Sequence, residues 1–368
     1  MFGTYRLVLS LLVLLTHLGS VEVYAGLAVW AFFMLSGFLI TGVLNTRYGF
    51  DHEGLLEFAF SRALRLLPTY WLSIALALIG MNYFNPYLPS TQINSSFLKP
   101  ESFLESVSAI FIIGQSFFGI NRINSTPSPS SWAVEVEIFL YIVSCLWLSR
   151  KMQNARAATI ICIAIFPVLW VIAKYLHNNG FQELAGQLTY SFLPTALLPY
   201  SIGALLWFVH NRTRNTNEPS YVRILIGAAS IVIFASVLSR YTVTGSYIAS
   251  LFVFSYLTWH LGGIRAKHLS KRIDDFLGHM SYPVYLLHWI VAYALAATSK
   301  AFNYADNIFV VGSNGLAVFS SYGFGIAVLL TLILSAFIAW SFEEPIEHHR
   351  REWANGLASI VADKMFKR

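Results

Sequence analysis

Residues 23–44 read VYAGLAVWAFFMLSGFLITGVL, 22 consecutive positions without an Asp, Glu, Lys, Arg or His. A helix that is apolar on every face is either the core of a large protein or a membrane span. The composition decides between them. Hydrophobic residues make up 56% of the 368 positions and charged residues 11%, and the mean hydropathy is +0.60. Soluble domains carry about a quarter charged residues. A chain this apolar cannot clothe itself in polar surface, so its solvent is lipid.

Outward from that segment, further runs approach the about 20 apolar residues that cross about 30 Å of hydrocarbon. They fall at 5–19, 66–84, 132–149, 157–176, 189–209, 222–239, 244–261, 281–298 and 320–342. The fold class expected is therefore all-α, a polytopic integral membrane protein with about ten transmembrane helices. An eleventh apolar run, 103–120, is interrupted by Glu105, Gly114, Gln115 and Gly119.

Basic residues decide how that run is treated. With the N-terminus cytoplasmic and 103–120 not crossing, the cytoplasmic segments carry 19 of the 24 Lys and Arg residues. These are Arg6, Arg47, Arg62, Arg65, Arg150, Lys151, Arg156, Arg212, Arg214, Arg223, Arg265, Lys267, Lys271, Arg272, Arg350, Arg351, Lys364, Lys367 and Arg368. That bias is the positive-inside rule, and it is lost if 103–120 crosses. The run is expected to lie in the interface or to re-enter, with both termini cytoplasmic. Residues 1–345 are read as the transmembrane domain and 346–368 as a basic cytoplasmic tail.

Arg6, the apolar run to Leu15 and Val23-Tyr24-Ala25 imitate a secretory signal, but another apolar run follows at once, so the first helix is expected to stay. The net charge of +6 sits in clusters between apolar runs and not along one basic face, which argues against a nucleic-acid partner. Cys145 and Cys162 lie inside apolar stretches and read as small buried hydrophobes. No disulfide, metal site or bound cofactor is expected.

Polar residues inside spans are costly and each needs a partner or a task. Arg6 and His17 are 11 residues apart, which is about 20° past three full helical turns and about 16 Å along the axis. They share a face, either as a snorkelling Arg and a His satisfied by a neighbouring helix or as two parts of a site. Arg62 and Arg65, at i and i+3, form a fork suited to phosphate or serve as ordinary inner-face charge. Pro68 after them suits the first turn of a helix. Glu135 and Glu137 take two carboxylates into a span, with Glu137 and Tyr141 facing together at i,i+4. His288 lies inside another span, as a structural or a functional residue. Glu343-Glu344-Pro345 closes the last span, where an acid opposes the helix dipole and is expected to pair with an Arg of the fork.

These residues occur in an order that resembles the membrane-bound acyltransferase 3 family, bacterial O-acyltransferases of surface glycans and other hydroxyl compounds. Arg6 and His17 look like its Arg-x10-His. Phe32-Phe33 through Ser36-Gly37-Phe38 is similar to its FFxxSGF, Arg62 and Arg65 to its Arg-x-x-Arg. Trp132 to Tyr141 resembles its W-S-L-x-x-E-x-x-F-Y, with Glu137 at the glutamate. Ser281 to His288 resembles SYxxYLxH, and Glu344-Pro345 its terminal Glu-Pro. Ala133 and Leu140 depart from the usual Ser and Phe, so those side chains are not essential here.

The resemblance implies a bacterial cytoplasmic (inner) membrane, membrane lipid around the protein, an acyl-CoA donor, acetyl-CoA first, and a carbohydrate or other hydroxyl acceptor. It raises the functional reading of Arg6 and His17. The expected chemistry has His17 as general base, Glu137 or Glu135 orienting it, and Arg62, Arg65 and Arg6 holding the donor. Ser36, Trp132, Tyr141, His288 and Glu344 are expected to line the path or support it. Ten spans with buried ionisable groups also suit a proton-coupled secondary transporter, although no repeated halves are visible. An acyl-binding or scaffold protein without chemistry is the third alternative.

Overall fold

Inside lipid every backbone N–H and C=O must find a partner within the protein, which restricts spanning segments to helices and closed barrels. This chain takes the helical solution. The computed structural model describes residues 2–19, 24–116, 126–213, 243–263 and 268–366. Its helices are α1 (Phe2–Gly19), α2 (Tyr24–Val43), α3 (His52–Phe84), α4 (Phe103–Phe111), α5 (Ser131–Val143) and α6 (Met152–Asn178). They continue as α7 (Gln182–Tyr190), α8 (Leu193–Thr213), α9 (Val243–Gly263), α10 (His268–Ala301), α11 (Ser321–Ile338) and α12 (Glu344–Phe366). A short antiparallel hairpin, β1 (Phe309–Val311) with β2 (Ala317–Phe319), pairs Phe309 with Phe319 between α10 and α11.

Among the described residues, eight helical segments are long and apolar enough to cross a membrane. They correspond to eight of the ten expected spans, and the protein is an all-α polytopic membrane protein. The expected span 222–239 lies outside the described residues. The expected span 244–261 is helical as α9, but Thr244, Ser246, Ser250, Ser255, Thr258 and His260 leave it less apolar than the eight.

Small residues set the packing. A Cβ added at Gly37 would lie 2.0 Å from the Tyr200 carbonyl oxygen, and one at Gly203 1.9 Å from that of Met34. Bare backbone at both positions lets α2 and α8 pack closely. The pair α1–α10 and the pair α3–α12 are the other extensive contacts.

The run 103–120 does not cross within its described part. Ser102 and Glu105 form a capping box that starts α4, and Ile112 ends it in the left-handed conformation at φ 57°. Nine residues of helix reach only about 14 Å. The last turn of α4 is tied to α3: the Tyr70 hydroxyl donates to Ala109 O at 2.6 Å, and Trp71 Nε1 donates to Ile110 O at 3.0 Å. Tyr70 lies 14 residues before the end of α3, about 21 Å back along its axis, so the segment re-enters.

Two prolines mark different places from those expected. Pro68 does not open α3, because Asp51 caps that helix 17 residues earlier, its Oδ1 accepting from Gly54 N at 3.0 Å. Pro68 sits in the helix interior, a position that membrane helices tolerate. Pro345 stands in the first turn of α12, where its missing N–H is harmless. Residues 346–366 accordingly continue as helix, and Arg350, Ala354 and Ala358 are buried.

Candidate functional site

The start of α1, the later turns of α2, the first half of α3, the body of α5, the first half of α10 and the first turns of α12 meet around one cavity of about 530 Å³. Arg6, Ser36, Arg62, Arg65, Glu137 and Tyr141 all line it. Six of the residues singled out from the sequence, on four helices, thus converge on one space.

Glu137 is the acceptor at its centre. Ser36 Oγ donates to Glu137 Oε1 at 2.6 Å and the Tyr141 hydroxyl donates to the same oxygen at 2.5 Å. Among the described residues nothing donates to Oε2. The i,i+4 spacing of Glu137 and Tyr141 is therefore a hydrogen bond.

The fork is asymmetric. Arg65 Nη1 lies 3.7 Å from Glu347 Oε2, and Glu347 Oε1 accepts from Arg350 Nη2 at 2.6 Å. Arg350 Nη1 also donates to Ser61 Oγ, so α12 is fastened to α3 by a charged chain. Arg62 packs its guanidinium 5.6 Å from the Phe58 ring centroid, and its Nε is buried without a partner. Among the described residues neither Arg6 nor Arg62 has a carboxylate within ion-pair distance. Two guanidinium groups not ion-paired among the described residues, beside a cavity, attract an anion, and a planar guanidinium fits phosphate in particular.

Of the acids expected to partner the fork, Glu344 is exposed and Glu343 acts on Arg65 electrostatically, while the ion pair itself is made by Glu347. Glu343 is buried and its Oε1 accepts from Thr69 Oγ1. Glu343, Glu347 and Arg350 recur at i, i+4 and i+7, a one-face pattern that the reading of a tail beyond Pro345 passed over.

Asp274 was also missed. Its carboxylate accepts from Gly3 N at 3.0 Å, Thr4 N at 2.8 Å and Thr4 Oγ1 at 2.7 Å. An acid on the free N–H groups of a helix start is a favourable cap, and this one fixes the turn that carries Arg6. Ser10 Oγ donates to Ser281 O at 2.7 Å one turn further along.

His17 lies in a second cluster. Its Nδ1 is 2.9 Å from Nε2 of His288, and its ring lies 4.8 Å from that of Trp289, 27° from parallel. The cavity lining ends at Ser10 on α1, seven residues and about 10 Å short of His17. Tyr285 lines the cavity and its ring centroid is 6.4 Å from that of His288, so it stands between the clusters.

The expectation that Glu137 or Glu135 orients His17 is corrected as well, since His17 is bonded to His288. Glu135 accepts from Gly114 N at 2.7 Å and Ser116 N at 2.5 Å. It satisfies backbone N–H groups of the re-entrant turn, which inside lipid would otherwise stay unpaired. Trp132 packs on Tyr190 with ring centroids 4.6 Å apart.

Comparison with known proteins adds the following. The sequence pattern of an acyltransferase domain, that of the acyltransferase-3 family, matches residues 2–341. An uncharacterized protein of Haemophilus influenzae is 25% identical over 219 residues, 56% of this chain and 84% of that protein. The O-acetyltransferase OatA of Staphylococcus aureus is 24% identical over 297 residues, 75% of this chain and 48% of OatA. The putative peptidoglycan O-acetyltransferase YrhL of Bacillus subtilis is 25% identical over 286 residues, 71% of this chain and 43% of YrhL. The chain thus spans less than half the length of these two O-acetyltransferases. No solved structure matches.

Proposed function

Because the chain belongs to the acyltransferase-3 family, we propose that it is a membrane O-acyltransferase, moving an acyl group, acetyl first, from acyl-CoA to a hydroxyl of a glycan or lipid-linked acceptor. The observation that carries this reading is the cavity lined by Arg6 and Arg62, which among the described residues have no carboxylate within ion-pair distance, beside a hydrogen-bonded Glu137. Coenzyme A brings phosphates that match the guanidinium groups. In this reading the Arg end of the bundle faces the cytoplasm, where acyl-CoA is found, and the membrane is the bacterial inner membrane.

Acyl transfer from thioester to alcohol lacks only a deprotonated hydroxyl and a stabilised oxyanion. His17 accepts the hydroxyl proton, the oxygen attacks the acyl carbon, the C–O bond forms and the C–S bond breaks. The departing sulfur takes the proton and leaves as the free thiol of coenzyme A. Arg62 and Arg65 hold the phosphates, and Arg6, with Glu137 near it, guides the thioester arm along α1 toward His17.

The relatives named O-acetyltransferase support the reaction type, and the name of YrhL makes peptidoglycan the first acceptor to try. The test is thiol release: purified protein in lipid vesicles is given acetyl-CoA with and without a peptidoglycan-precursor extract. Acceptor-dependent release of free coenzyme A is expected; no release with any hydroxyl-bearing extract, alongside uptake of solute driven by a pH gradient, overturns the reading in favour of a transporter.

A further inference from the structure

His288 Nδ1 lies 3.3 Å from the carbonyl oxygen of Val284, one helical turn earlier in α10. A carbonyl oxygen only accepts, so Nδ1 of His288 carries a proton. His288 is fully buried (0% exposed) and, among the described residues, touches no carboxylate, so the neutral ring is favoured over an uncompensated buried cation. With the proton on Nδ1, its Nε2 holds a lone pair. That nitrogen is 2.9 Å from His17 Nδ1. The ring centroids are 5.1 Å apart with planes 18° from parallel, which is the arrangement of two rings joined nitrogen to nitrogen and not of faces in contact. His17 Nδ1 must then be the donor, and the bare nitrogen of His17 is Nε2.

We infer that the Val284 carbonyl and His288 form a one-way hydrogen-bond chain that sets the tautomer of His17, making His288 a positioning residue that presents His17 Nε2 as the base. The inference rests on His17 being the general base of acyl transfer. Trp289, with its ring against His17, keeps that ring in the plane the chain requires. When Nε2 takes the proton of the acceptor hydroxyl, the ring becomes an imidazolium whose Nδ1–H still donates to His288. The new C–O bond forms as the thioester C–S bond breaks, and Nε2 returns its proton to the departing sulfur. His17 ends in the tautomer in which it began, because Nδ1 never lets go of His288. A pair of histidines thus does what a carboxylate does in a His-acid pair, without placing a second charge in the bundle.

The experiment uses full-length protein labelled with ¹⁵N-histidine in lipid nanodiscs, the signals of His17 being those lost in His17→Asn. The wild type is expected to show His17 protonated on Nδ1 and bare on Nε2. His288→Leu, which offers no acceptor, is expected to mix the tautomers, and His288→Gln, whose amide oxygen accepts, to restore them. In parallel, acyl transfer should drop about 10²–10⁴-fold in kcat in His288→Leu with the donor KM unchanged, and recover largely in His288→Gln. A proton on Nε2 of His17 in the wild type, or the same tautomer in His288→Leu, overturns the assignment. Transfer that needs His17 but runs equally well in His288→Leu overturns the positioning role and leaves the functional reading standing. The expected tautomers in a protein that transfers no acyl group would instead uphold the hydrogen-bond chain and sink the functional reading.

Discussion

At the scale of single residues, the decisive contrast is between Arg62 and Arg65, which the sequence presents as equivalents. Arg65 is tied to Glu347 and through it to Arg350, whereas Arg62 lines the cavity with its guanidinium near the Phe58 ring and, among the described residues, no carboxylate within ion-pair distance. Arg62→Ala should raise the KM for acyl-CoA by one or two powers of ten, the loss of about 1.5–3 kcal/mol of charge-assisted hydrogen bonding, with the melting temperature in detergent unchanged. Arg65→Ala should also lower that temperature, since Glu347 loses a partner; equal effects of the two substitutions on stability would count against the asymmetry. Tyr141→Phe and Ser36→Ala each remove one of the two donors to Glu137, and about tenfold in kcat is expected from either, read from steady-state kinetics. The Glu137–Tyr141 contact was legible because both lie on one helix. Ser36 and His288 stood out in the sequence and Glu347 did not, but the partners of all three lie on other helices or were hidden in the stretch read as a tail, and spacing along a chain carries no information across a bundle.

At the scale of elements, close approaches and caps decide what the helices can do. Gly37→Leu would drive a side chain into the Tyr200 backbone, and loss of folded protein in size-exclusion profiles is expected, while Gly186→Leu, where nothing lies within reach, should behave as wild type. Glu135→Ala strips two backbone N–H groups of their acceptor in the re-entrant turn. A loss of about 2–4 kcal/mol follows from a pair of buried unpaired groups, and protease cutting between α4 and α5 should appear in lipid vesicles. The spans themselves were legible because apolar length is a property of local sequence. Pro68 and Pro345 misled in a physical way: proline is compatible with a helix start, a helix interior in lipid and the first turn after a turn of π-helix, and only the Asp51 cap and the Ala339–Glu343 turn distinguish these. The hairpin 309–319 had one available signal, Asn314-Gly315, with Gly315 at φ 77°, as tight hairpin turns require.

At the scale of the whole molecule, the cavity shows which helix ends share a side. Arg6, Val43, Arg62, Asp275 and Glu347, from helices that alternate in direction, line one cavity, so these helix ends lie on one side. The re-entry of α4 follows from the same arrangement, because α3 leaves that side and α5 returns to it. Cysteines placed singly at Tyr304 and at His348, both exposed, should report this topology: the first is expected to react with an impermeant reagent on intact cells, the second only after permeabilisation. In the proposed reading, His17 as base and Arg6 beside the Arg62–Arg65 fork stand toward opposite ends of α1, so the acyl group travels along that helix. The measurement that tests this most directly supplies acetyl-CoA, labelled in the acetyl group, to membranes holding equal amounts of wild type and His17→Ala. Label entering the glycan or lipid fraction with wild type, and lost by at least about 10²-fold with the variant, is the predicted result; equal label in both fractions would contradict His17 as the base, and with it the path along α1.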